Sequence, residues 1–128
     1  NKAKINIKKL DAIFVITSTV NPGDCSRMKA LLKTFENNIK IVYSPEFIAL
    51  GSVFKDMLNP EIVLLGGEDD GSLDTVFSIY SKLYKSHPEF HRLSFLEAET
   101  AKIAINTLDK YDLKLNLNEY YFQILKLF

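Results

Sequence analysis

The chain has 128 residues, enough for one domain with a sizeable core, and its 47% hydrophobic and 25% charged residues are an ordinary globular balance. Sixteen Lys and Arg cancel sixteen Asp and Glu, and a pI near 6.9 leaves no electrostatic footprint for nucleic acid. The lone Cys25 excludes an intrachain disulfide, one Cys with two scattered His offers no metal cluster, and no apolar run approaches the roughly 20 residues of a membrane span.

With no visible signal segment, a single thiol fits a reducing cytoplasm. The first residue is Asn rather than Met, so the natural start is expected upstream.

Ala12, Ile13, Phe14, Val15 and Ile16 make a continuous apolar run of strand length, the pattern of a strand buried on both faces. Asn21, Pro22 and Gly23 break it, and Asp24 is placed to cap the next helix. In that helix Met28, Leu31, Leu32 and Phe35 fall at i, i+3, i+4 and i+7. Asn37 and Asn38 end it, and residues 39–43 read as a second strand. Residues 62–65 read as a third, closed by Gly66 and Gly67. The acidic Glu68, Asp69 and Asp70 suit the positive end of a helix. That helix carries Leu73, Val76, Phe77, Tyr80, Leu83 and Tyr84 at helical spacing, and Pro88 forbids its continuation. Residues 92–95 suggest a short fourth strand, and 96–108 a last helix.

Strands alternating with helices predict an α/β fold with a parallel sheet and flanking helices. Ligands of such sheets bind beyond the carboxyl ends of the strands. Three stretches leave strand ends here: 17–20, 44–51 and 66–67. The first two carry hydroxyls and the carboxylate of Glu46, so they could line one cleft.

Each candidate has a plainer reading. Thr17, Ser18 and Thr19 also suit a turn. Glu46, just after Pro45, also suits the opening of a helix. Gly51, Gly66 and Gly67 also serve turns, and no glycine-rich dinucleotide fingerprint occurs in the 128 residues. Cys25 would have a lowered pKa if exposed in a first helical turn, whereas a small core residue is the plainer role. In the last helix Lys102 and Asn106 are four apart, with Glu99 one turn earlier, on a helix otherwise lined by Ala98, Ala101, Ile103, Ala104, Ile105 and Leu108. A Lys there must be paired or used, and pairing with Glu99 is the structural alternative.

Three motifs stand in order. The first is residues 18–23, Ser18 to Gly23. The second is residues 44–52, with Asn59, Pro60, Gly66 and Gly67 following. The third is residues 97–106, with Glu99, Lys102 and Asn106. Their order and spacing resemble the UDP-glucose/GDP-mannose dehydrogenase family, the NAD-dependent nucleotide-sugar 6-dehydrogenases, over about residues 10–108.

The resemblance implies a partial Rossmann-like sheet followed by a helical segment. Residues 1–95 would be the C-terminal half of the NAD-binding domain. Residues 96–128 would begin the central dimerisation region, diverging after 108. It implies oxidation of a UDP- or GDP-sugar alcohol to the uronate with NAD, in a polysaccharide-precursor pathway, with a nucleotide-sugar substrate and a homodimer as partners, and no metal, nucleic acid or membrane. Thr19, Glu46, Lys102 and Asn106 would be catalytic. Ser18, Thr19 and Glu46 would contact the cofactor, and Phe47, Ile48, Ala49, Leu50, Lys102 and Asn106 the substrate.

The family's glycine fingerprint would lie upstream and its catalytic cysteine downstream, so the isolated chain is expected to oxidise no nucleotide sugar. Leu50 stands where many members carry a polar residue, which bears on sugar specificity. The alternative is a standalone α/β module that binds a nucleotide or a protein. Tyr121, Ile124, Leu125 and Phe128 form a stripe that predicts a short helix packed on the domain or on a second copy. If the roles hold, Thr19, Glu46, Lys102 and Asn106 face one cleft, with Lys102 partly buried and ion-paired to Glu46.

Overall fold

The computed structural model describes residues 11–34, 38–48 and 53–110. In chain order these form β1 (Asp11–Ile16), α1 (Asp24–Lys33), β2 (Asn38–Tyr43), α2 (Val53–Leu58), β3 (Ile62–Gly66), α3 (Asp70–Leu83), β4 (Glu89–Leu93) and α4 (Phe95–Lys110). The tail stripe expected at Tyr121 to Phe128, and the site residues Ala49 and Leu50, lie outside the described residues.

The sheet order is β1-β2-β3-β4. β1 and β2 run parallel from Asp11↔Asn38 to Ile16↔Tyr43. β3 and β4 run parallel from Ile62↔Glu89 to Gly66↔Leu93. The two halves meet at a single antiparallel pair, Tyr43↔Gly66. The sheet is therefore mixed, not wholly parallel. Alternation of strands and helices cannot reveal this, because a long connection permits either direction. Both members of that pair end their strands, so β2 and β3 approach head-on. Chain leaving β2 runs on beside β3, where Phe47 packs against Ile62 and Leu64. Chain leaving β3 runs back beside β2, where Asp69 meets Lys40 at 3.4 Å. Gly66 thus sits beside Tyr43 at the end of β2, while the chain after it turns back along β2 and away from the loops that follow β1 and β2.

Alternation along the strands assigns the layers. Ile41 and Tyr43 of β2 pack with Cys25 of α1 and Phe95 and Ala98 of α4. Ile62 and Leu64 of β3 pack on the same helix, against Ala101 and Ile105. Val42, Val63 and Leu65 point the other way and meet Leu73 and Val76 of α3. Covering both faces explains the unbroken apolar run of β3 and the buried apolar end of β2, residues 41–43. β1 departs from that expectation: among the described residues it is an edge strand, and Phe14 is 48% exposed. α1 touches the sheet along a narrow line at Cys25 and Leu32, so Met28 and Leu31 stay exposed.

Helix starts are set by local hydrogen bonds. Asp69 caps α3, accepting from the Ser72 amide at 2.9 Å. Ser94 and Glu97 form a reciprocal capping box at α4, with bonds of 2.7 and 3.3 Å. This box fixes the helix start at Phe95 and ends β4 at Leu93, two residues before the expected strand end. The six-residue α2 is too short to show helical periodicity in sequence.

Gly66 is where β3 touches α4. A Cβ there would sit 2.8 Å from the Ala98 Cβ and 3.3 Å from the Ser94 carbonyl oxygen. Gly66→Ala is expected to cost about 1–3 kcal/mol by overpacking. A urea titration reads this as a lowered midpoint at unchanged slope, and an unchanged midpoint would contradict the tight contact.

Candidate functional site

β1 and β2 end side by side, and their pairing continues into the loops. The Ser44 amide donates to the Ile16 carbonyl at 2.8 Å, and the Glu46 amide donates to the Thr17 carbonyl at 3.1 Å. Residues 17–20 and 44–48 are thereby held as neighbours at the carboxyl edge of two parallel strands, the usual ligand position of such sheets. Ser18, Thr19 and the Glu46 side chain are exposed at this edge.

α4 completes the site from the side. Lys102 is 6% exposed, and its Nζ donates to the Glu46 carbonyl oxygen at 2.8 Å. The same ammonium stands 4.1 Å from the centroid of the Phe47 ring. One turn on, Asn106 Nδ2 donates to Thr19 Oγ1 at 3.4 Å. A single helical face thus reaches both loops: Lys102 the loop after β2, Asn106 the loop after β1. The structure brings Thr19, Glu46, Phe47, Lys102 and Asn106 together, with Ser18 beside Thr19 and Ile48 beside Phe47. One expected detail is corrected. Lys102 meets Glu46 through the backbone carbonyl and not through an ion pair with the carboxylate, whose charge bears instead on the phenols of Tyr80 and Tyr84.

The pairing of Glu99 with Lys102 is replaced by another arrangement. Glu99 is 0% exposed, and its carboxylate accepts from the backbone amides of Gly23 at 2.6 Å and Cys25 at 2.8 Å. These amides open α1, whose N-cap residue, Gly23, has φ of 90° and no side chain to cap with. A carboxylate from α4 therefore caps α1, a favourable charge at the positive end of a helix. Asp24, expected to be the cap, instead accepts from the Asn21 amide at 2.8 Å and pairs with Arg27. Sequence reasoning missed this role because the partners lie 74 and 76 residues apart. The available signal was a glutamate on a helix whose other faces are mostly alanine and isoleucine.

Cys25 is fully buried, as a core residue. Burial first, then the neighbouring Glu99 carboxylate, pushes its thiol up to about 12. Burial likewise pushes the adjacent Tyr43 phenol up to about 12. Among the described residues no group of three His, Cys, Asp or Glu could hold a metal ion, and no helix is long and apolar enough to cross a membrane.

Known proteins match much of the chain. Residues 2–84 match the UDP-glucose/GDP-mannose dehydrogenase family, NAD binding domain. The UDP-glucose 6-dehydrogenase of Rickettsia typhi is 31% identical over 107 residues, 84% of this chain and 24% of that protein. UDP-glucose 6-dehydrogenase 1 of Glycine max is 30% identical over 107 residues, covering 79% of this chain and 22% of its own length. The chain spans about a quarter of the curated relatives it matches. In fold it resembles a GDP-mannose dehydrogenase from Pseudomonas aeruginosa, with a TM-score of 0.72 and 20% identity over 85% of this chain and 25% of that one.

Two outcomes follow from the buried cap. Glu99→Ala strips the α1 amides of their acceptor and is expected to cost about 1–3 kcal/mol in chemical denaturation. A loss near zero would mean that water replaces the carboxylate without cost. The second outcome is alkaline. In the unfolded chain the Cys25 thiol ionises near its ordinary value of about 8.5, whereas folded it holds its proton to about 12. The raised folded pKa contributes stability that is complete below the unfolded value and lost as pH rises towards 12. Cys25→Ala should flatten part of that alkaline decline, and an unchanged profile would contradict the assignment.

Proposed function

The chain belongs to the UDP-glucose/GDP-mannose dehydrogenase family, and on that premise we propose that it supplies the acid–base and oxyanion groups of an NAD-dependent nucleotide-sugar 6-dehydrogenase. The observation that carries this reading is the reach of one α4 face into both loops, Lys102 to Glu46 and Asn106 to Thr19. In the intact enzyme the reaction oxidises the primary alcohol of a UDP- or GDP-sugar to the carboxylate, in the cytoplasm. Residues 96–128 would begin the helical region through which two copies pair.

The roles follow from chemistry and position. The Lys102 ammonium and the Asn106 amide lie one turn apart and can both donate to one oxygen. An oxygen that gains negative charge when the sugar carbonyl is attacked is stabilised there by preorganised donors. Thr19 presents a hydroxyl that can hold a water or a carboxamide. The exposed Glu46 carboxylate, on the neighbouring loop, can take a proton from that water. Phe47 and Ile48, with Ala49 and Leu50 beyond, would line the sugar side.

The residues present fit the nicotinamide end of NAD, because the hydroxyls of Ser18 and Thr19 and the loop that carries Glu46 lie side by side at the edge of two parallel strands. They include no glycine-rich cradle for the pyrophosphate. When bound, NAD supplies the acceptor for hydride.

A chimera tests the reading. Residues 11–108 replace the matching segment of the Rickettsia typhi enzyme, and NADH formation is followed with UDP-glucose and with GDP-mannose. Turnover is expected, and Lys102→Ala should lower kcat about 10²–10³-fold. A folded chimera in which Lys102→Ala turns over normally would overturn the assignment.

A further inference from the structure

We propose that Phe47 is a positioning residue for Lys102, its ring acting as a cation–π seat that fixes the ammonium at the junction of the two loops. The ring centroid lies 4.1 Å from Lys102 Nζ, inside the range of such contacts. The second contact comes from the adjoining residue: the Glu46 carbonyl accepts from the same Nζ at 2.8 Å. Two consecutive residues thus hold one ammonium from two sides. A hydrogen bond alone leaves a lysine free to swing about that bond, whereas a ring face restricts the swing.

The ring is itself anchored. Phe47 packs against Ile62, Leu64, Ala101 and Ile105, so its seat is fixed by β3 and by α4. Ala101 precedes Lys102, and Ile105 lies one turn further along the helix. The lysine stem and the ring are therefore referenced to the same few residues. Lys102 is 6% exposed, and a desolvated cation gains more from a ring face than an exposed one does.

The oxyanion role of Lys102 rests on the function proposed above, but the seat does not. Its test uses the 128-residue chain without NAD or sugar, so either idea can fail alone. Reductive methylation of Lys102 is timed by mass spectrometry, with Lys33 and Lys55 as exposed references. Phe47→Leu keeps an apolar side chain in the cluster and should speed Lys102 labelling about tenfold. Phe47→Tyr should restore the slow rate.

Should the leucine variant fail to fold, mono-, di- and trifluorophenylalanine at position 47 weaken the ring face while keeping its shape. Labelling should then rise stepwise with fluorination at constant Tm. A rate indifferent to fluorination, or a folded Phe47→Leu chain labelled at the original rate, would overturn the proposal.

Discussion

A buried carboxylate joins the first and last helices of this structure. Glu99 leaves α4 and ends on the first amides of α1. α4 also packs along β3, through Ala101 and Ile105. The last helix in chain order is thereby tied to the first helix and to the second half of the sheet. In the ladder only the pair Tyr43↔Gly66 joins β2 to β3, and α3 and α4 pack across both strands. A buried carboxylate is costly unless its lone pairs are used, and here two backbone donors at the positive end of a helix use them. The thiol beside it responds: its own ionisation is suppressed by burial and by the same negative charge.

The site inherits its geometry from this tie. α1 follows the loop that carries Thr19, and Glu99 fixes the start of α1 against α4. Lys102 and Asn106 then follow within two turns on the same helix, each at the height of one loop. The loops are zipped together by Ser44 and Glu46 amides that bond to the end of β1 and the residue after it. No element longer than 16 residues is needed to bring groups from positions 19, 46, 102 and 106 together. The first helix and the last are joined through one glutamate.

Much of this was legible in the sequence. Apolar runs gave β2 and β3 because helices cover both of their faces, and the motif order gave the family. The three-residue spacing of Ser94 and Glu97 was also readable as a capping box, though the apolar Phe95 disguised it as strand. What the sequence hid is long-range. The direction of β3 depends on how residues 44–48 and α2 return to the sheet, and composition does not encode that. The partner of Glu99 was invisible because helical spacing suggests Lys102 first, while two main-chain amides carry no sequence signature. β1 misled for a different reason: its apolar run is that of a two-sided strand, yet Phe14 stands on an outer edge among the described residues.

The central claim is that one face of α4 serves a site shared by the loops after β1 and β2. A crystal structure of the Rickettsia typhi chimera with UDP-glucose bound tests it most directly. The account predicts the oxygen on sugar carbon 6 within hydrogen-bond reach of Lys102 Nζ and Asn106 Nδ2, with Thr19 and Glu46 on the flanking loops. A nucleotide sugar bound elsewhere, with Lys102 and Asn106 touching only protein, would contradict it.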